Sequence, residues 1–163
     1  METQPTQSRE KASFNRSDDE SRIRIMMDEW VEALKSKDIN RVMAGYSKDL
    51  VSFDIMPPLR VKGLESYRKN YEEWFKSCKG PIQCEPQDVE ISASENLACA
   101  YCLNHMAFTT NEGEKMDMWI RWSSVLKKLD GQWLITHEHV SVPIDMETDK
   151  ALWNLKPDSE LKH

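Results

Sequence analysis

Hydrophobic and polar positions along the chain change period three times, and those changes divide it into elements. Residues 1–17 are polar, with Phe14 as the only large aromatic residue, and read as a disordered N-terminal tail. Ile23, Met26, Met27, Trp30, Ala33 and Leu34 then recur at helical spacing and give one apolar face. Ser17 and Glu20 have capping-box spacing, so a helix is predicted to start there and to end near Lys37. Asp38 is placed to cap a second, short helix carrying Ile39, Val42, Met43 and Tyr46. Leu50 to Met56 reads as a strand, closed by the Pro57-Pro58 turn, and Leu59 to Val61 as a short return. After Gly63, the residues Leu64, Tyr67, Tyr71, Trp74, Phe75 and Cys78 mark a third helix, with Gly80-Pro81 as its stop signal.

From Ile82 the period falls to two. Strands are predicted over Ile82–Ile91, Leu97–Thr109, Lys115–Lys128 and Gln132–Val142, joined by short turns that imply an antiparallel meander. Pro86 marks the first of them as an edge strand or a bulge. The expected fold class is α+β, with early helices laid across a long, strongly curved antiparallel sheet. That packing leaves an open-ended conical cavity, a natural ligand site. Residues 18–145 form the domain, and 146–163 a mostly polar C-terminal extension in which Trp153 and Leu155 are able to dock.

Composition narrows the chemistry. The 163 residues carry a net charge of −6, which argues against DNA, RNA or an anionic membrane as partner. No apolar run approaches a membrane span, and METQPTQSREKASFNRS lacks the apolar core of a secretory signal, so a cytoplasmic location is expected. Nucleotide-binding loops are absent, and only five glycines are present. Cys99 and Cys102 form a C-x-x-C, but on a strand residues three apart point to opposite faces. A redox pair or shared metal is therefore not expected, and the thiols read as small buried hydrophobes. No cofactor and no metal are implied.

The last predicted hairpin holds most of the polar candidates. Around Asp130-Gly131, a two-residue type I′ turn places Trp122 opposite His139 and Arg121 opposite Val140. A three-residue loop, Leu129-Asp130-Gly131, places Arg121 opposite His139 and Ser123 opposite His137. The second is favoured, because Asp suits the second central position of a type I turn and Gly the left-handed residue. In either register His137, His139 and Ser141 share one face and Thr136, Glu138 and Val140 the other. The favoured register makes His139 a candidate general base, neutral beside Arg121, with Asp54 as the balancing acid and second catalytic candidate. Arg121, Trp119, Tyr67 and Trp74 are the candidate ligand-binding residues. A buried Arg–Asp–His network that only pins the sheet explains the same pattern. The two histidines lack the further ligands that zinc takes.

Three strings, EALKSKDINRVMAGYSKDLVSFD, PPLRVKGLESYRKNYEEWF and RWSSVLKKLDGQWLITHEHVSVP, resemble the nuclear transport factor 2-like superfamily, and within it the SnoaL-like and ketosteroid isomerase-like proteins. The resemblance covers about residues 18–145. It implies a cone-shaped curved sheet against three N-terminal helices, the cystatin-like roll. The last string also resembles the association domain of the calcium/calmodulin-dependent kinase, but the two pocket arginines of that domain that align fall on Ser124 and Val140. The Asp, Tyr and protonated Asp of the steroid isomerases are not placed on this chain. Two functions stay open. One is a domain binding a small apolar molecule, with acid–base isomerisation, cyclisation or dehydration as its chemistry. The other is a non-catalytic association module with a vestigial cavity. A homodimer is expected under both.

Overall fold

A computed structural model describes residues 15–157. Residues 1–14 of the expected N-terminal tail lie outside the described residues. Helix α1 spans Arg16–Ser36, and its N-cap is Asn15, whose side chain accepts from the Asp18 backbone N–H. The helix thus begins earlier than the Ser17 cap predicted from spacing: Asn caps as well as Ser, and Asn15 stands three residues before an acidic first turn. Helix α2, Ile39–Met43, is capped by the Asp38 side chain on the Arg41 N–H as expected.

Strand β1 covers Tyr46–Phe53 and β2 Val61–Lys62. Tyr46, assigned by spacing to the second helix, instead opens β1, because its neighbour Gly45 gives its carbonyl to the Ile135 N–H and the chain is already in the sheet. Helix α3 spans Leu64–Ser77. Its end comes before the Gly80-Pro81 signal: Cys78 is already extended, and β3 runs Cys78–Ala93 through that dipeptide. Strands β4 (Leu97–Thr110), β5 (Lys115–Leu129) and β6 (Gln132–Ser141) complete the sheet. A small hairpin of β7 (Ile144–Asp145) and β8 (Lys150–Ala151) follows, and the Trp153 carbonyl accepts from the Trp119 N–H at 3.0 Å.

The six-stranded sheet has the order β2-β1-β6-β5-β4-β3, antiparallel except where β1 runs parallel to β6. β3 is the edge, which accommodates Pro86, and its pairing with β4 slips between Lys79 and Gln83 and again between Gln87 and Glu90. Such bulges increase local twist and bend the strand, producing the curved sheet. The core fills its concave side: Ile23, Leu34, Val42, Leu50, Ile82 and Leu126 are fully buried beneath the helices.

The β5–β6 hairpin corrects both predicted registers. Leu129 pairs with Gln132 around a two-residue turn, with Asp130 at φ 49° and Gly131 at φ 80°. Positive φ at both central residues is the type I′ geometry that follows strand twist, which the three-residue reading overlooked. The pairing then shifts by one at Thr136, so that Ser123 faces His139 and Arg121 faces Ser141. The extra residue also reverses the alternation of β6: Trp133 and Ile135 point inward before it, and Glu138 points inward after it.

Asp19 ties the start of α1 to this hairpin. Its carboxylate, 3% exposed, accepts from Lys128 Nζ at 2.8 and 3.0 Å and from Trp133 Nε1 at 2.9 Å. Burial alone would raise this carboxyl, but those donors and the nearby Arg22 charge outweigh it and hold it below the usual carboxylate range. Asp19→Ala leaves the indole N–H and a largely buried ammonium unpaired and should cost about 2–3 kcal/mol. Asp19→Asn, which keeps an acceptor, should cost less; thermal unfolding of the two variants checks the order. The contribution is present above about pH 4 and lost as pH falls through the lowered value, so the deficit of Asp19→Ala should shrink in acid.

Candidate functional site

Strand alternation, the Thr136 bulge and the parallel β1–β6 pairing bring one acid into the middle of the concave face. Glu138 is 1% exposed. Its Oε1 accepts from Ser52 Oγ at 3.1 Å and from the Tyr67 hydroxyl, and its Oε2 accepts from the Tyr46 hydroxyl at 3.1 Å and Trp122 Nε1 at 3.1 Å. Ser52 and Tyr46 come from β1, Tyr67 from α3 and Trp122 from β5. Together they occupy the lone-pair directions of an ionised carboxylate, and among the described residues no cation bonds to it. Burial pushes the Glu138 carboxyl above its ordinary value, while the donors from Tyr67, Trp122 and Tyr46 pull it back part of the way.

The tyrosines form a continuous edge-to-face row. Ring centroids are 5.4 Å apart for Tyr46–Tyr67 and 5.1 Å for Tyr67–Tyr71. Burial, then the Glu138 charge, pushes all three phenols up, so they remain protonated donors. Asp54, just past β1, is half-buried, and its Oδ1 accepts from the Ile55 N–H at 2.6 Å. Burial raises its carboxyl against two backbone N–H bonds, and its charge reaches Tyr67, Tyr71 and Glu138.

A cavity of about 370 Å³ opens beneath α1, walled by Met26, Met27 and Trp30 from the helix and by Cys102, Asn104 and Trp122 from the sheet. Tyr46 lines it too, so two of the four donors to Glu138 also border the cavity.

The sequence candidates divide between the two sheet faces. Tyr67 is in the inner cluster, and Asp54 lies close enough to act on it electrostatically. Trp74 packs beside the cluster, edge-on to Tyr71 at 5.8 Å and to Phe108 at 5.6 Å. None of the six candidates, Asp54, Tyr67, Trp74, Arg121, Trp119 and His139, is in the cavity lining. Arg121 Nε donates to Ser141 Oγ at 3.1 Å; His139 and His137 meet the exposed Phe53 edge-on at 5.9 and 4.8 Å; Trp119 stacks on His105 at 4.8 Å. The structure therefore does not gather Asp54, Arg121 and His139 around one cavity. Glu138, Tyr46, Ser52 and Trp122 lie outside the catalytic and ligand-binding sets that the sequence suggests. The available signal is an acid on the face opposite two histidines. Among the described residues no three His, Cys, Asp or Glu side chains gather into a metal-binding group. Cys99 is exposed and Cys102 buried, on opposite faces, and burial pushes the Cys102 thiol up to about 12.

Residues 23–145 match the family described as SnoaL-like domain. This chain belongs to the SnoaL-like family. Among solved structures, an NTF2-like protein of unknown function from Pseudomonas putida KT2440 is 35% identical, with TM-score 0.79 over 86% of this chain and 98% of its own. A ketosteroid isomerase-like protein from Erwinia carotovora atroseptica is 20% identical, with TM-score 0.67 over 78% of this chain and 97% of its own. A protein provisionally named a scytalone dehydratase, from Novosphingobium aromaticivorans, is 17% identical, with TM-score 0.70 over 86% of this chain and 93% of its own. The last two likenesses are of fold alone. No curated protein shows significant similarity to the chain. Among the described residues, no helix of this SnoaL-like protein is long and apolar enough to cross a membrane.

Truncating the cluster's centre should be costly. Glu138→Ala leaves two phenols, a hydroxyl and an indole N–H facing a void, and is expected to lose roughly 3–5 kcal/mol in chemical denaturation. Glu138→Gln keeps the shape and removes the titration. Because folding raises this carboxyl, its contribution is full below the ordinary glutamate range and is lost as pH rises through the raised value. The stability of wild type relative to Glu138→Gln should therefore fall as pH increases through that window.

Proposed function

We propose that this SnoaL-like protein binds a small, mostly apolar molecule in the cavity beneath α1 and moves protons to and from it through the Tyr46–Glu138 pair. The observation that carries this reading is the double position of Tyr46, which borders the cavity and hydrogen-bonds to the buried carboxyl. A phenol held well above its ordinary value does not ionise alone. It works as a relay: as the ligand's C–H or O–H bond breaks, Tyr46 takes that proton and passes its own to ionised Glu138, and the reverse step returns a proton to a different atom. Burial raises this carboxyl, which makes its ionised form a stronger proton acceptor than a free carboxylate, as a general base requires. Asp54, whose carboxyl is raised in the same way, is the proposed second acid of the site. Isomerisation needs only such transfers; in dehydration the returned proton goes to a hydroxyl oxygen of the ligand, whose C–O bond breaks to release water.

An association module with a filled cone is the competing reading. The open volume of about 370 Å³, of the size that holds one small ligand, speaks against it. A homodimer belongs to the same proposal. The face carrying exposed Phe53 and Tyr101 is the one a second copy would cover, and sedimentation velocity should give twice the chain mass.

α-Tetralone, an apolar bicyclic ketone with exchangeable α-protons, tests the chemistry. In D2O the protein should accelerate deuterium uptake at C2, followed by NMR. Tyr46→Phe should slow the protein-dependent rate by about a hundredfold, with little change in Kd. A wild-type rate equal to buffer would reduce the site to binding alone.

A further inference from the structure

Building on the cavity as a ligand site, we propose that Asn104 is its specificity-determining residue, whose side-chain amide donates to a carbonyl oxygen of the bound molecule. Asn104 lies on β4 in line with Ala98, Ala100, Cys102 and Met106, the buried, concave side of that strand, and it lines the cavity. Its Oδ1 accepts from the Cys102 thiol at 3.4 Å. That thiol, pushed up to about 12 by burial, keeps its hydrogen and so turns the amide oxygen toward itself. Nδ2 is left with two hydrogens that no described residue accepts. Trp30 Nε1 is unpartnered as well, but it is sealed within the packing. Asn104 Nδ2 is unpartnered without being sealed, although the residue as a whole is only 5% exposed. On the concave face the space that leaves it open is the cavity. A nearly buried, unmatched donor that borders open volume is where a ligand oxygen gains a hydrogen bond.

The neighbours of Asn104 decide which oxygen it takes. Asn104 pairs with Ile120 on β5, and one step along the same face Cys102 pairs with Trp122. The amide therefore stands beside the indole that donates to Glu138 at 3.1 Å. Glu138 is a buried carboxyl behind this wall, so an anionic group drawn to Nδ2 would meet its charge through a weakly screening interior. A neutral acceptor meets no such repulsion. An amide N–H2 cannot accept, so a group that only donates gains nothing there. A carbonyl oxygen offers two lone pairs and no charge, and it matches both conditions. Met26 and Met27 supply apolar wall for the rest of the molecule. The tether at Asn104 fixes one end of the ligand on the sheet side of the cavity that Tyr46 also borders.

α-Tetralone and tetralin share the bicyclic skeleton and differ by the carbonyl, so the pair isolates this contact. Calorimetric titration should show α-tetralone binding about fivefold tighter than tetralin, the factor expected of one neutral hydrogen bond. Asn104→Leu, close in shape and without the donor, should bring the two within about twofold, with tetralin little affected. Tyr46→Phe should keep the preference. In wild type the Asn104 side-chain 1H–15N resonances should move downfield with α-tetralone and not with tetralin, a readout independent of any variant's folding. Equal affinities, a preference that survives Asn104→Leu or is lost in Tyr46→Phe, or unmoved amide protons would each overturn the assignment while leaving the cavity a ligand site. A preference that depends on Asn104 without catalysed deuterium uptake would uphold it and remove only the proton relay. Failure of both compounds to bind at millimolar concentration would overturn the cavity reading, and this inference with it.

Discussion

A carboxyl group buried without a counter-ion organises this protein. Removing a carboxylate from water costs several kcal/mol even after relaxation, and Glu138 has no cation to offset it. What offsets it is geometry: four neutral donors converge from three different elements. Each donor requires a specific placement. Ser52 and Tyr46 require β1 to lie parallel beside β6, Tyr67 requires α3 to cross over the concave face, and Trp122 requires the shifted register of β5. The bulge at Thr136 is the smallest of these features and the one on which the others depend, because without it Glu138 would face the same side as Arg121 and Ser123.

A second tether works at the other end of the molecule. Asp19 holds the first turn of α1 on the β5–β6 hairpin through Lys128 and Trp133. The helix is thereby set across the mouth of the sheet, with Met26 and Trp30 over the cavity. The two acids titrate in opposite senses. Folding lowers Asp19, whose share of stability disappears in acid, and raises Glu138, whose share declines as pH rises. One is held by charge and the other only by neutral dipoles, which is why burial dominates the second and not the first.

Much of the fold was legible because it rests on local signals. Asp38 caps α2 as its position suggests, the Tyr67–Tyr71–Trp74 spacing marks a buried helix face, and Pro86 lies on the edge strand. Element ends moved where tertiary pairing overrode propensity: Tyr46 follows a helical pattern yet enters the sheet, and Gly80-Pro81 lies within a strand. The site was less legible for a sharper reason. A strand's alternation reports which residues share a face, and it did so for His137, His139 and Ser141. It cannot report a bulge, and one extra residue at Thr136 reverses the assignment of everything beyond it.

The two faces of β6 therefore carry different chemistry from adjacent positions. His137 and His139 stand on the outer face against the exposed Phe53, and His137 also bonds to the Val51 carbonyl at 2.8 Å. Glu138, between them in sequence, is buried and bonded to Tyr46, which borders the cavity. Members of this fold carry names as different as isomerase and dehydratase, so the scaffold does not decide the reaction. In this chain the cavity lining includes a phenol and an indole, Tyr46 and Trp122, that donate to a buried carboxyl. On the proposed reading, the Tyr46–Glu138 pair at the cavity wall is the polar contact that orients an otherwise apolar molecule. Orientation of that kind is what proton transfer between two positions of one ligand requires.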